Sequence, residues 1–239
     1  MELPKGRIPA TRKNPRILTL FGQSKVGKTS TLALLEDCLI VDTEKGSELV
    51  DAMRTTVNNL KDLSELYKEL IRAKKEDEFT YKYIAIDTID NLVGWIERSV
   101  CKREQVNDLI DIPYGAGYNE VRNTTLLWIK RMLNVTPHVI IIGHRKKTIT
   151  DTESTTVSVS SLELSGKLKN QIMADSDACG YVFRTSPPKL EEGETAQETA
   201  FRSEIMVSFV ANDELEAGAR QEHLKGKIIP FKWDNIYIE

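Results

Sequence analysis

The residues with the plainest chemistry lie between Gly22 and Ser30. Gly22, Gly27, Lys28 and Thr29 fit the spacing G-x-x-x-x-G-K-[ST], with Gln23, Ser24, Lys25 and Val26 inside the loop and Ser30 directly after it. Backbone N–H groups of such a loop wrap a phosphate chain. Its lysine reaches the β- and γ-phosphates and its hydroxyl ligates Mg²⁺. The groups this chemistry requires are ATP and Mg²⁺. Asp87, at the end of the apolar run "YIAI", is the candidate acid to hold the metal with Thr29, directly or through water. A turn residue or helix cap is the plainer reading of Asp87, and the phosphate loop upstream favours the metal.

Hydrolysis needs a base beside the attacking water. In many enzymes with this loop the base directly follows the metal aspartate, but Thr88 stands there. Glu44, just past the second apolar run, is the candidate. Asp42 and Glu44 could instead cap the segment that starts at Gly46, because acids favour helix starts. His144 follows the run "VIIIG". It either senses the γ-phosphate and passes its presence to the polar stretch that follows, or only satisfies a strand end. His138 and His223 have no such context and read as surface residues.

These residues must be placed by alternating strands and helices. Ile17–Phe21, Leu39–Val41, the run ending at Asp87 and Val139–Ile142 read as buried strands. Helical spacing connects them: Leu32, Leu34 and Leu35; Leu63, Leu66, Tyr67, Leu70 and Ile71; Asn91 to Gln105; then Val121, Thr125, Trp128, Met132 and Leu133. The pattern predicts an α/β fold, a mainly parallel sheet flanked by helices, with its ligands at the carboxyl ends of the strands. "ACGYVF", "EIMVSFVA" and the closing "GKIIPFKWDNIYIE" read as further strands. The acidic "KLEEGETAQETA" reads as an exposed insertion. Residues 1–15, with Lys5, Arg7, Arg12, Lys13 and three prolines, read as an extended arm before a single domain, 16–239.

The 239 residues are 40% hydrophobic, enough for one domain with a sizeable core, and the net charge of −3 excludes a globally basic surface. Nucleic-acid binding would need a local patch. Cys38, Cys101 and Cys179 lie far apart, which suggests neither a zinc site nor a disulfide framework and points to a reduced, cytoplasmic setting. No signal peptide and no membrane-spanning run is expected. Two stretches break the periodicity. "DLIDIPYGAGYNE" carries Pro113, Gly115 and Gly117 and reads as a flexible loop; the polar run from Arg145 to Ser165 reads as a second. Tyr114 and Tyr118 could stack on bases, and Arg145, Lys146 and Lys147 could meet phosphates. A solvated strand end is the plainer reading of that charge run.

The order of these parts resembles the RecA recombinase family over almost the whole chain. "IVDTE" falls where the family has its catalytic glutamate, so the resemblance gives that role to Glu44. It makes Ile110–Asn119 the first DNA-binding loop and Arg145–Ser165 the second. His144 stands where the family's γ-phosphate sensor is usually glutamine. "LKGKIIPF" resembles the family's K-x-K run, whose lysines reach a neighbouring subunit's nucleotide; that role falls to Lys225 and Lys227. Their spacing of two puts both on one face if the run is extended. The resemblance covers the family's core and none of its accessory domains, and the acidic insertion and the extra strand before Lys225 depart from the family's hairpin. The stripped-down pattern resembles the small phage RecA-like ATPases associated with single-strand annealing. It implies a DNA-stimulated ATPase that binds single-stranded DNA, a homo-oligomeric filament or ring, a single-stranded-DNA-binding protein as candidate partner, no membrane, and the cytoplasm of a bacterial host. A ring-forming helicase or motor is the alternative. A small-molecule kinase ranks last, since "TDTESTTVSVSS" lacks the arginines of a phosphate lid.

Overall fold

The computed structural model describes residues 3, 5–151, 156–185 and 203–239. The acidic stretch 189–200 lies outside the described residues. The elements are β1 (Ile17–Gly22), α1 (Lys28–Leu32), β2 (Cys38–Asp42), β3 (Arg54–Thr56), α2 (Leu60–Lys75), β4 (Tyr83–Asp87), α3 (Ile89–Glu104), α4 (Ala116–Val135), β5 (His138–Asp151), β6 (Thr156–Leu162), α5 (Gly166–Asp175), β7 (Ala178–Arg184), β8 (Ile205–Ser208), β9 (Gly218–Ala219) and β10 (Ile228–Pro230). The sheet order is β10-β8-β7-β1-β5-β4-β2-β3. From β7 to β3 neighbours pair in parallel; β8, β9 and β10 join antiparallel at the other side. This is the mainly parallel, helix-flanked α/β sheet that the sequence predicted, with antiparallel strands added late in the chain and β5 between the phosphate-loop strand and the Asp87 strand.

Successive strand residues point to opposite faces, and both faces are buried. Phe21, Leu39, Val41, Ile84, Ile86, Val139 and Ile141 face a core closed by α2 to α5. Leu18, Leu20, Ile40, Ala85, Ile140 and Ile142 face the other. That second face has little helix to cover it. Helix α1 is five residues long, and Leu34, expected within it, lies beyond its end and is exposed. The last residues of the chain do the covering instead. Phe231, Trp233 and Ile236 are buried there, and the Trp233 indole Nε1 donates to the Thr31 carbonyl at 2.7 Å.

Several expectations are corrected. Ile110–Asn119 is not one open loop: Leu109 and Ile112 are buried, two 3₁₀ turns span Leu109–Asp111 and Pro113–Gly115, and Tyr118 and Asn119 lie in the first turn of α4. Arg145–Ser165 is not a loop either. Arg145–Asp151 pairs antiparallel with Thr156–Leu162, a ladder that supplies from its backbone the order its polar side chains do not advertise. The strand β3 had no apolar signature. Beyond β10 the chain makes a 3₁₀ turn at Trp233–Asn235, not a strand. His138 and His223 are partly buried: His138 shares a 2.7 Å bond with the Pro15 carbonyl and stacks on Tyr83, while His223 reaches the Ile236 carbonyl at 2.9 Å. Residues 5–13 are exposed. Asn14 joins the end of the chain, with its amide bonding both ways to Ile238 at 2.7 and 2.9 Å.

Candidate nucleotide site

The register sets the site. Gly22 pairs with His144, Asp42 with Asp87, and Asp87 with Ile142, so the phosphate loop, Glu44, Asp87 and His144 come together where the parallel pairing ends, while Arg145, Lys146 and Lys147 continue into the hairpin. The turn after β1 has Lys25 and Gly27 at φ 62° and 108°, which folds the loop back on itself. Side chains at either glycine have no room. A Cβ on Gly22 would lie 2.4 Å from the Val182 carbonyl oxygen, and one on Gly27 2.5 Å from Ile205 Cδ1. Gln23, Ser24, Lys25 and Ser30 are exposed along the loop and Val26 is buried beneath it.

Lys28 is buried, and its Nζ donates to the carbonyls of Gly22 at 3.1 Å and Gln23 at 2.8 Å. Burial pulls the ammonium pKa below its usual value, and Asp87, Asp90 and Glu44 oppose that shift. Thr29 donates its hydroxyl to Asp87 Oδ2 at 2.7 Å, so the two candidate metal ligands meet. Burial raises Asp87 to about 6, with Glu44 and Asp42 adding to the shift. A buried acid this costly to ionise, touching a hydroxyl beside a buried lysine, is a donor set that suits a hard cation between carboxylate and phosphate oxygens. The residues therefore fit ATP with Mg²⁺.

A cavity of about 530 Å³ opens over this loop, with Glu44, Thr88 and His144 in its walls. Glu44 is held by its neighbours rather than by a helix. Thr88 Oγ1 donates to Glu44 Oε1 at 2.8 Å, and the Thr43 hydroxyl and the Thr88 backbone bond each other at 2.7 and 3.0 Å. Capping falls to Asp42, which accepts the N–H groups of Glu44, Lys45 and Ser47 and the Ser47 hydroxyl. Burial opposes ionisation of Asp42, but those bonds hold its carboxyl below the usual range. So Asp42 does the capping, and Glu44 lines the cavity. His144 stands 3.8 Å from Glu44 through Nδ1.

The basic hairpin is less uniform than its sequence. Arg145 turns onto β7, with Nη1 donating to the Tyr181 hydroxyl at 2.8 Å, while Lys146 and Lys147 are exposed. Tyr114 is fully exposed and Tyr118 partly so. Sequence reasoning missed a second cavity, about 250 Å³, where α4 and α5 begin; Tyr118, Arg122, Ser165 and Lys167 line it. It also missed Asp90. The signal for Arg122 was its place one turn after Tyr118 on a helix; Lys167 and Asp90 carried none.

Lys225 and Lys227 are not on an extended strand. Lys225 and Gly226 lie in a turn, Gly226 has φ 68°, and the Lys227 N–H bonds the Leu224 carbonyl at 3.1 Å. The strand begins only at Ile228, because the chain must reverse there to lay β10 on β8. Both lysines are exposed. They lead into a strand that runs parallel to β1 three places away, and the register sets its first residue, Ile228, level with Ser208, Tyr181 and Phe21.

Residues 14–220 match the family described as AAA domain. The chain belongs to this family. A P-loop NTPase domain is thus what the site geometry and the family agree on. Among curated proteins, the SPbeta prophage-derived uncharacterized protein YorG of Bacillus subtilis (strain 168) is 23% identical over 143 residues. That match spans 59% of this chain and 44% of the relative, less than half its length. Among solved structures, a KaiC-like protein from Pyrococcus horikoshii OT3 superposes with a TM-score of 0.46 at 11% identity, covering 93% of this chain and 91% of that one.

Proposed function

We propose that this AAA-family domain is an ATPase that binds single-stranded DNA and acts as a homo-oligomer, filament or ring, in annealing or pairing strands. The observation that carries the reading is the continuity of β5. One strand runs from the nucleotide cavity at His144 directly into the hairpin arm that bears Arg145, Lys146 and Lys147. A change at the γ-phosphate position has a rigid path to that arm. The cavity at the starts of α4 and α5 supports the same reading. Neither helix has an acid in its first turn or a side-chain cap, so their N–H ends are open to phosphate beside Arg122 and Lys167, and Tyr114 and Tyr118 offer stacking faces nearby. The prophage-derived relative fits a phage protein working in the cytoplasm of a bacterial host. A single-stranded-DNA-binding protein is a further partner of this reading.

Bound ATP with Mg²⁺ would supply the phosphoryl group to be transferred to water. Lys28 and the loop N–H groups neutralise and orient the phosphates, and Thr29 and Asp87 hold the metal. Glu44 takes the proton of the attacking water. Lys225 and Lys227, exposed beside a strand three places from β1, serve a neighbouring subunit in this reading, which is why it includes assembly.

The test is fluorescence anisotropy of labelled single-stranded DNA across a salt series, with a non-hydrolysable ATP analogue. The expected result is ATP-dependent binding. Its log–log salt slope falls by roughly 0.7 for each basic side chain removed from a DNA phosphate, or roughly 3 when Arg122, Lys146, Lys147 and Lys167 are replaced together by Ala. Wild-type protein that binds no single-stranded DNA with the analogue, or a quadruple variant with an unchanged slope, overturns the DNA reading.

A further inference from the structure

We propose that Asp90 is the positioning residue that fixes His144 over the nucleotide cavity and couples it to the hairpin. This deepens the ATPase reading of the same site and rests on it. Asp90 Oδ2 accepts the backbone N–H of His144 at 3.1 Å and lies 3.2 Å from its Nδ1. One carboxylate oxygen thus bonds the backbone of residue 144 and stands at ion-pair distance from its ring. A carboxylate this close to Nδ1 favours a proton on that nitrogen and leaves Nε2 as the ring atom free for a ligand. His144 is in the cavity wall, 3.8 Å from Glu44. Its placement therefore also sets the surroundings of the candidate base.

The other side of residue 144 is tied to the hairpin. The His144 carbonyl accepts the N–H of Glu163 at 2.9 Å, at the foot of β6. Gly143 makes this junction possible. A Cβ there would lie 2.3 Å from Leu162 Cδ1, 3.3 Å from Ile89 Cγ2 and 3.6 Å from Asp90 Oδ2. The start of α3, the end of the buried part of β5 and the foot of the hairpin close on a single glycine. Displacement of His144 by a phosphate must then move Asp90, the hairpin foot, or both.

The plain alternative is a helix-start acid that serves only the dipole of α3. Such an acid is well served by solvent. Asp90 is instead largely buried, and its Oδ1 has no hydrogen-bond partner among the described residues. Burial raises its pKa, with His144 opposing the shift. A desolvated carboxylate with one oxygen unpaired is a net cost to the fold. What it returns is the hold on His144.

The test is steady-state ATPase kinetics on the full chain, in a cycle of Asp90→Ala, Asp90→Asn, His144→Ala and the Asp90→Ala/His144→Ala double variant. Asp90→Ala should lower kcat at least tenfold and leave the ATP KM within twofold. Asp90→Asn should recover much of that loss, because its amide oxygen can still accept the backbone N–H and face the ring. In the His144→Ala background, Asp90→Ala should cost no more than twofold further. The ¹⁵N resonances of the His144 ring give a readout without turnover, with Nδ1 protonated in the wild type and released from that state in Asp90→Ala. Equal losses in both backgrounds, or a wild-type ring unprotonated at Nδ1, overturn the proposal. ATP turnover that single-stranded DNA does not alter sinks the DNA reading and leaves the Asp90 cycle to be judged on its own values. Absence of turnover sinks the ATPase reading, and the ring spectrum still decides Asp90.

Discussion

Replacing Glu44 by Gln removes one property of the site and little else. In the folded protein Glu44 Oε1 accepts the Thr88 hydroxyl at 2.8 Å, and a Gln amide oxygen of the same shape accepts it equally well. The phosphate loop, Lys28 and the Thr29–Asp87 pair make no hydrogen bond to Glu44. Nucleotide binding should therefore hold within about twofold, and removing a negative charge near the triphosphate can only tighten it. What Gln cannot do is take a proton. Loss of general-base catalysis costs roughly 10²- to 10⁴-fold. At the low end that is about 2.7 kcal/mol on the barrier, as each tenfold is about 1.36 kcal/mol.

Two measurements separate the effects. A fluorescent-ATP titration reads binding, and single-turnover hydrolysis under saturating protein reads the chemical step without product release. Tight binding with hydrolysis slowed at least a hundredfold is the expected pair. Hydrolysis within threefold of wild type would refute the assignment and return the base role to another group in the cavity. Lost binding would refute the argument that Glu44 is held independently of the phosphate loop.

Two further perturbations follow from the geometry. Burial lifts Asp87 to about 6, so the folded, metal-free protein binds a proton that the unfolded chain releases near pH 4, and this contribution to stability is present at low pH and fades as pH rises through about 6. Thermal melts should show a smaller loss of Tm from pH 4.5 to 7 in Asp87→Asn than in wild type, and Mg²⁺ with ATP should raise the wild-type Tm more at pH 7.5 than at pH 5; parallel wild-type and variant profiles would refute it. Trp233→Phe keeps the buried ring and removes the bond to the Thr31 carbonyl, which still accepts the Leu34 N–H at 3.1 Å. The cost should be about 1 kcal/mol, or roughly 2 °C in Tm, by calorimetry; an unchanged Tm would mean that the indole bond does not anchor α1.

What could be read in advance was whatever a local pattern dictates. The phosphate loop has a fixed spacing, and buried parallel strands announce themselves as runs such as "VIIIG". The acids and the histidine that end those strands fall at the site because parallel strands end together. Patterns that depend on a distant partner were silent. The hairpin Arg145–Asp151 with Thr156–Leu162 carries polar residues on both faces, so its order comes from backbone pairing and not from burial. Helix α1 is cut to a single turn and a half because the second sheet face is closed by Trp233 and Ile236, some two hundred residues later, and no window around Lys28 contains that fact. The lysine pair misled for a similar reason: "LKGKII" looks extended, but the chain must reverse at Gly226 to reach the sheet edge.

Asp90 shows the same limit at the site itself. In sequence it is an ordinary acid at a helix start, three residues after the candidate metal ligand Asp87, and nothing local distinguishes it from a dipole partner. Only the approach of α3 to Gly143 turns it inward, onto a residue 54 positions away. A motif names the groups that touch a ligand, because their spacing is set by one loop. The groups that hold those in place are selected by packing between elements. For this chain the loop residues could be found by spacing, while the link from His144 to Asp90 and to the hairpin foot exists only in three dimensions. If that link transmits the state of the nucleotide, the coupling should depend on Gly143, Asp90 and Leu162, none of which is assigned to phosphate or DNA in the proposed site.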